Sequence, residues 1–280
     1  MSVNIFIRIF NKPTQVSSRY IIDYCFLLFS VLKSYDFYRI SRHLKWKPGL
    51  LKKMASDTGD RTWGHLASTE IYGRPSTADE YTELTKEEIN SEHYSSKTNA
   101  CHCLLFARKN KKNFGVYNPR ATVLMQMRFD GYIGFPGGLV DSGEDQITAL
   151  NRELLEEMNL DTSTYKVTEE NHIVSHYSTR KNICLHFYAL EVPEEDIKKI
   201  EVKSLSSKDH GSEVLGVIQV PLYTMGDGVR GFPTFLTHSF IGNSRMQLLI
   251  SLKKLNIFSE DEITSVLNAV PTKTTTAISS

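Results

Sequence analysis

The sequence GLVDSGEDQITALNRELLEEMNL, residues 138–160, carries the most specific pattern in this chain. Within it, Glu153, Glu156 and Glu157 follow the i, i+3, i+4 spacing that places three side chains on one face of a helix. Three carboxylates this close repel one another unless a cation lies between them. Carboxylate oxygens suit Mg²⁺ and Mn²⁺, which in turn bind phosphate oxygens. The spacing therefore predicts a metal-binding helix that acts on a phosphate compound.

The residues before the helix add to this pattern. Gly137 and Gly138 form a glycine turn ahead of the helix, and Glu144 lies between the turn and the helix. We expect Arg152 to pair with Glu144 and hold the loop against the helix. A bare E-x-x-E-E spacing is more often a solvated helix face than a metal site, because runs of charge are usually exposed. The additional fixed positions favour the metal site.

Taken together, these positions resemble the Nudix box, G-x5-E-x7-R-E-U-x-E-E-x-G-U, in which U is an apolar residue. The matching positions are Gly138, Glu144, Arg152, Glu153, Leu154, Glu156, Glu157 and Leu160. Asn159 stands where the pattern has its second glycine. Asparagine is the next-best residue for a left-handed helix C-cap, so we expect this departure to be tolerated.

Composition sets broad limits on the protein class. The chain has 280 residues, of which 40% are hydrophobic, enough for one domain with extensions or for two small domains. A net charge of +1 gives no overall indication of nucleic-acid binding. The four cysteines form no paired framework, which favours reduced thiols. Charge is uneven, however: residues 1–53 have a balance of +8 and residues 54–97 a balance of −5.

The sequence predicts two segments ahead of the folded domain. Residues 1–53 are a basic N-terminal extension, either amphipathic or disordered. Its apolar stretch, residues 21–32, is interrupted by Asp23 and falls short of the roughly 20 residues needed to span a bilayer, so no firm membrane partner is expected. Residues 54–97 are an acidic polar linker with one short helix at residues 85–92.

Residues 98–258 are predicted to form the folded domain, and 259–280 a short helix capped by Ser259 followed by a disordered tail. Apolar and β-branched runs predict five strands. The predicted strands are residues 101–107, 122–128, 132–135, 183–190 and 213–220. Helices are expected at the box, at 193–201 and at 239–255. This order indicates an α/β protein, an α/β/α sandwich around a mixed central sheet.

Segments outside the box narrow the resemblance. ACHCLLFA, MQMRFDG followed by FPGG, DHGSEVLG and GFPTFL are similar to the small nucleolar RNA decapping branch of the Nudix hydrolases. This resemblance implies the Nudix fold with its catalytic loop-helix-loop. It also implies a pyrophosphatase that uses Mg²⁺ or Mn²⁺, with Co²⁺ as a further option.

The same resemblance implies substrates, partners and a location. The substrates are capped RNA, inosine and deoxyinosine di- and triphosphates, and protein-linked ADP-ribose, and the residues do not rank them. The protein would be an RNA-binding homodimer. Its location would be the nucleus, nucleolus and nucleoplasm, with the cytoplasm as a further location.

Metal and catalytic roles also follow from the resemblance. It assigns Glu153, Glu156 and Glu157 as the catalytic carboxylates and metal ligands, and leaves open which group is the general base. The carbonyl of Gly137 would join the metal shell, although a turn glycine needs no such role. His176 corresponds to a histidine near the metal, and a structural role for it is an equal alternative.

Four further residues correspond to substrate contacts. His102 would contact the base or cap, and Arg128 would offer a planar cationic fork to the diphosphate. Phe135 would line the nucleobase pocket, where stacking contributes about 1–3 kcal/mol. Gln247 would contact the base edge. A structural histidine at 102 and an ordinary core ring at 135 are the plain alternatives.

One position departs from the active enzymes. The family has a further metal-binding glutamate three residues after Gln247, where this chain has Ile250. A related branch, syndesmos (the Tudor-interacting repair regulator), also has an apolar residue there, and LLISLKKLNIFSEDEI resembles that branch. An RNA- and protein-binding regulator with weak or no activity is therefore the alternative to an enzyme.

Overall fold

The computed structural model describes residues 80–271, which contain one eight-stranded mixed sheet and seven α-helices. The strands are β1 (Tyr81–Leu84), β2 (Thr98–Arg108), β3 (Ala121–Arg128), β4 (Ile133–Gly134), β5 (Gly137–Leu139), β6 (His172–Ser178), β7 (Ile183–Glu191) and β8 (Val214–Gln219). The helices are α1 (Lys86–Ile89), α2 (Glu92–Ser95), α3 (Gln146–Met158), α4 (Glu194–Ser204), α5 (Phe232–Phe235), α6 (Ser244–Lys254) and α7 (Glu260–Asn268).

The sheet has the order β1-β6-β7-β2-β3-β4, with β5 beside β2 and β8 beside β3. All pairs are antiparallel except the central pair of β2 and β7. The mixed sheet confirms the predicted α/β class. β2 is the central strand of the sheet. It pairs with β7 along nearly its whole length, and its other edge pairs with β3 and β5.

The segment that leads into the box fills a gap in the sheet. β2 and β3 pair directly only at their far ends, where Leu105 lies opposite Leu124. Nearer the box, β5 pairs with β2 and β4 pairs with β3, so the β4–β5 segment lies between the two strands. Gly137 is opposite His102 in this arrangement. This insertion brings the glycine turn, β2 and the box helix to one place.

Side-chain alternation along β2 separates two cores, one on each face of the sheet. On one face, Leu104 and Phe106 pack with residues of α5, α6 and α7. On the other, Cys101, Cys103 and Leu105 pack with residues of α3 and α4. Helices therefore cover both faces, as the sandwich prediction required.

The box helix α3 has a capping residue at each end, and the one at Asn159 was predicted. The Asp145 side chain accepts a hydrogen bond from the Thr148 N–H at 3.0 Å and caps the N-terminus. At the other end, Asn159 adopts the left-handed conformation with φ of 50°, and its N–H bonds the last turn. The departure from the glycine of the pattern is thus accommodated by asparagine, the residue type that tolerates this geometry best after glycine.

The structure differs from the sequence prediction at both ends of the domain. Part of the predicted linker, Tyr81–Leu84, is an edge strand paired with β6, and two short helices replace the one expected at 85–92. β6 was missed altogether, because its histidines and serines hide the strand pattern. Helix α6 begins at Ser244, later than the expected residue 239.

Two other predictions concern residues that the structure does not describe. The extension at 1–53, with its apolar stretch, lies outside the described residues, as does the end of the tail, residues 272–280. Within the described part, the helix predicted after residue 258 is present and Ser259 caps it. Between residues 80 and 271, no helix is both long and apolar enough to cross a membrane.

Gly137 should be the least replaceable glycine of the box segment. It has φ of +136°, and a Cβ there would lie 2.1 Å from the Cys101 carbonyl oxygen. We expect Gly137→Ala to lower the free energy of unfolding by at least about 3 kcal/mol, because backbone must move. Urea unfolding with chelator present measures this.

Gly143→Ala is the matched control. Gly143 also has positive φ, +85°, but no atom lies within 4 Å of its added Cβ. Its loss should be about 1 kcal/mol, from backbone conformation alone. Equal losses in the two variants would contradict the proposed clash at Gly137.

Candidate active site

Glu157 is the most buried of the three box carboxylates, with 4% of the residue exposed. Its Oε2 accepts a hydrogen bond from the Gly137 N–H at 2.9 Å. The pKa of Glu157 is raised to about 8, chiefly by burial and also by the nearby carboxylates of Glu153 and Glu213, while the Gly137 N–H and Arg128 act in the opposite direction. Without a cation the Glu157 carboxyl group is therefore largely protonated near pH 7, and its ionised form needs a compensating positive charge.

The other two box glutamates have cationic neighbours. Arg152 donates to Glu153 at 2.5 Å and to Glu144 at 3.0 Å, so the predicted Arg152–Glu144 pair is present. Lys208 lies 2.8 Å from Glu156. Burial raises the pKa of Glu153, although the Arg152 hydrogen bond lowers it. Two carboxylates are thus partly neutralised by the protein, and the third is not.

The residues present fit a divalent cation by their chemistry. Among residues 80–271, no three His, Cys, Asp or Glu side chains form a ready-made metal cluster. Glu157 nevertheless presents a buried carboxyl oxygen whose ionised form needs a positive charge, and the Glu153 carboxylate lies within 2.9 Å of where a Cβ on Gly138 would be. Hard oxygen donors of this kind favour Mg²⁺ or Mn²⁺. Bound there, such an ion would offset the repulsion.

His102 and Arg128 lie on the sheet side of these carboxylates. His102 is opposite Gly137 in the β2–β5 pair. Burial, and to a smaller extent the charge of Arg128, lower the pKa of His102 to about 4, so the ring is neutral near pH 7. Arg128 pairs with Asp130 at 3.1 Å and also influences Glu157 electrostatically. Both residues therefore lie near the box segment, and their contacts with a substrate stay predictions.

The other three predicted residues, Phe135, Gln247 and His176, lie on the α6 side of the sheet. Alternation along β2 places the His102 side chain on this face as well. Phe135 is 4% exposed and packs against Phe187 with ring centroids 4.8 Å apart, which is the geometry of a core residue. Gln247 is buried on α6, and its Nε2 has no hydrogen-bond partner among the described residues. A buried donor without a partner is costly, so it is available to a ligand.

His176 is not brought to the box carboxylates by any contact in the structure. It lies on β6, two strands from β2, which is roughly 10 Å at the usual strand spacing. Its Nδ1 is 3.4 Å from Asn243 Nδ2. Burial lowers the pKa of His176, and Glu83 opposes this. Its metal-binding role stays a prediction.

Sequence reasoning missed two charged residues of this site. Glu213 acts electrostatically on Glu153 and Glu157, and Lys208 pairs with Glu156. Both belong to the segment KDHGSEVLG, which contributed to the resemblance but has no spacing relation to the box. Only the fold places the loop beside α3, where the Asp209 N–H donates to the Glu156 carbonyl.

Comparison with known proteins gives several relatives. A U8 snoRNA-decapping enzyme of Homalodisca vitripennis is 63% identical over 184 residues, which are 66% of this chain and 98% of that protein. The Xenopus laevis enzyme of the same name is 44% identical, over 66% of this chain and 86% of its own. The human Tudor-interacting repair regulator protein is 40% identical, over 63% and 82% respectively.

Solved structures and a family model complete the comparison. A mutT/nudix family protein from Listeria innocua aligns with a TM-score of 0.38 and 16% identity, covering 57% of this chain and 94% of that one. The model of the family described as "Nudt16-like: U8 snoRNA-decapping enzyme-like" matches residues 99–258, more than half of the chain. The chain belongs to this family and is a Nudix hydrolase.

Proposed function

We propose that this protein is a divalent-metal-dependent pyrophosphatase that cleaves the diphosphate linkage of RNA caps, in snoRNA and mRNA decapping, and of inosine and deoxyinosine di- and triphosphates. The buried Glu157 carboxylate held by the Gly137 N–H carries this proposal. A carboxylate kept in place at such electrostatic cost indicates a role beyond stability. The names of the relatives in Homalodisca vitripennis and Xenopus laevis support an RNA cap as the substrate.

The reaction is hydrolysis, in which water forms a bond to one phosphorus atom and the bridging oxygen leaves with the other phosphate. Glu153, Glu156, Glu157 and the Gly137 carbonyl would hold a divalent cation, which would supply positive charge to offset the diphosphate oxygens. A box carboxylate accepts the proton of the water. Arg128 holds a diphosphate oxygen.

Recognition of the nucleoside falls to groups around β2. Neutral His102 offers one donor and one acceptor to the base or cap, since its pKa is lowered to about 4. Gln247 offers its unpartnered Nε2 to the base edge. We extend the proposal to a homodimer located in the nucleus, nucleolus and nucleoplasm, because these properties accompany the resemblance.

A second candidate is a weakly active regulator that binds RNA and protein. Ile250 favours it, since this side chain packs against the α6-side core where the active enzymes have a glutamate. The relative in humans that is 40% identical is named as a Tudor-interacting repair regulator. The intact box glutamates favour the enzyme.

Glu157→Gln separates catalysis from folding. We expect turnover of cap-labelled RNA or inosine diphosphate with Mn²⁺ to fall at least about a hundredfold, because a metal-binding carboxylate is lost. The folded pKa of Glu157 is raised to about 8, so its neutral form stabilises the fold at low pH and this stability is lost as pH rises from about 4.5 through 8. With chelator at pH 8, the variant should therefore melt no lower than the wild type.

The control for this experiment is Glu169→Gln, an exposed glutamate in the 3-10 helix Glu169–Asn171. It should leave turnover, and the stabilisation by Mn²⁺ at pH 8, at the wild-type values. Glu157→Gln should lose that stabilisation. A Glu157→Gln variant with normal turnover would contradict the proposed site.

Ile250→Glu decides between the two candidates. For an enzyme limited by a missing ligand, the variant should raise the rate several-fold at low Mn²⁺, with little change at saturating metal. Leu249→Glu, the neighbouring residue packed on the same core, is the control for a buried charge. An inactive wild type, unchanged by Ile250→Glu and still able to bind RNA, would favour the regulator.

A further inference from the structure

The loop between β2 and β3 combines positive charge with an exposed ring. The segment 108–120, RKNKKNFGVYNPR, has five Lys and Arg residues and no acid. Its ion pairs among the described residues are those of Arg108 with Glu191 and Arg120 with Glu262, at its two ends. The central lysines of the loop, at 109, 111 and 112, thus keep their charge uncompensated by ion pairs within the described part.

The tip of this loop is a tight turn in which Phe114 adopts a left-handed conformation that is unfavourable for a bulky residue. Asn113 and Tyr117 pair across the turn through two backbone hydrogen bonds, of 2.7 and 3.0 Å. Between them, Phe114 has φ of +53° and Gly115 has φ of +71°. Asn or Gly occupies such a left-handed position with little strain, whereas a bulky ring does not. Local stability therefore does not explain a phenylalanine there.

The Phe114 ring is also poorly packed. It is 83% exposed, the largest exposure among the large hydrophobic residues described, and Val116 beside it is 67% exposed. Its ring contact within the described residues is with Tyr117, edge to face with centroids 6.5 Å apart. Tyr117 in turn stacks on Tyr223 at 5.0 Å. The loop thus presents a strained, solvent-exposed ring at the end of a row of aromatic rings.

A groove continues from these rings. It has a volume of about 400 Å³, and its lining includes Tyr117, Tyr223 and Phe258. The one carboxylate in this lining, Glu262, is held by Arg120 through two hydrogen bonds, of 3.1 and 2.7 Å. Because Glu262 is paired with Arg120, it does not offset the positive charge of the loop lysines. The groove and the loop together therefore form an aromatic and positively charged surface.

The loop is separated from the active site by the length of β2. His102 lies opposite Gly137, and the loop begins after Arg108, six residues further along the strand. Six residues of strand span roughly 20 Å. A cap or nucleoside diphosphate at the box is too small to reach the loop, whereas the chain that follows a cap is not.

We infer that the loop at residues 109–120, with Phe114 at its tip, binds the single-stranded body of the RNA whose cap is hydrolysed at the box. Lysines contact successive phosphates, and the exposed ring stacks on a base without selecting its identity. The inference rests on the proposed function for its substrate class. Binding of uncapped RNA to the loop does not depend on the proposed function. A binding experiment with uncapped RNA therefore tests the loop separately from hydrolysis.

The test uses the full chain with chelator and a 5′-hydroxyl, uncapped single-stranded RNA of mixed sequence. Lys109, Lys111 and Lys112 are changed together to Gln, and Phe114 is changed to Asn. We expect the triple variant to weaken binding at least tenfold and to reduce the slope of log K against log salt by about 2. Phe114→Asn should weaken binding at least fivefold with the salt slope unchanged, while thermal stability holds or rises.

Matched controls exclude a general effect of charge or surface area. Lys198, Lys199 and Lys203 on α4 are exposed and interleaved with acids, so their joint change to Gln removes the same charge from a balanced surface. Leu205→Asn, at a residue 61% exposed, is the control for Phe114→Asn. Both controls should stay within twofold of wild-type RNA affinity.

Hydrolysis provides an independent readout. With a short cap dinucleotide, the loop variants should keep the wild-type kcat/KM, whereas with capped RNA their KM should rise. Equal losses of affinity in loop and α4 variants, or no loss in either, would overturn the inference. A wild type that binds RNA through the loop but hydrolyses neither substrate would refute the proposed function and leave the RNA-binding surface standing.

Discussion

One backbone hydrogen bond, from the Gly137 N–H to the Glu157 carboxylate, joins the two parts from which the site is built. Gly137 belongs to the segment inserted between β2 and β3, and Glu157 belongs to the helix that follows it. The glycine backbone packs so closely on Cys101 that no side chain fits. Sheet and helix are therefore fixed relative to each other where the carboxylates converge, and the site depends on that contact.

This constraint has an electrostatic consequence. Helix geometry keeps three carboxylates within a turn, and the fold desolvates one of them almost completely. Arg152 and Lys208 compensate the two more accessible glutamates but not Glu157. Folding stability thus comes from the two apolar cores, while the raised pKa of Glu157 means that its ionised form needs a cation to offset its charge. A cationic side chain paired with Glu157 would occupy the position that such a cation needs.

The features of the site that lie within one continuous segment, the box, were predicted best from the sequence. The box spacing predicted helix α3, its left-handed end at Asn159 and the Arg152–Glu144 pair, because all are local. It did not predict the neighbourhood of Glu213 or Lys208, which depends on how a distant loop returns to the helix. Strand β6 was missed for a related reason: its polar residues are buried by tertiary packing, which no alternation pattern records.

β2 connects the two surfaces that the structure suggests for substrate. Its residue at the box end, His102, lies opposite Gly137, beside the proposed site of hydrolysis, and its last residues lead into the basic loop. Because the two surfaces are about 20 Å apart, contacts at the loop are made equally in the ground state and the transition state. Such uniform binding lowers KM without raising kcat. The loop would therefore favour long RNA over small nucleotides by affinity alone, while the box treats their diphosphates alike.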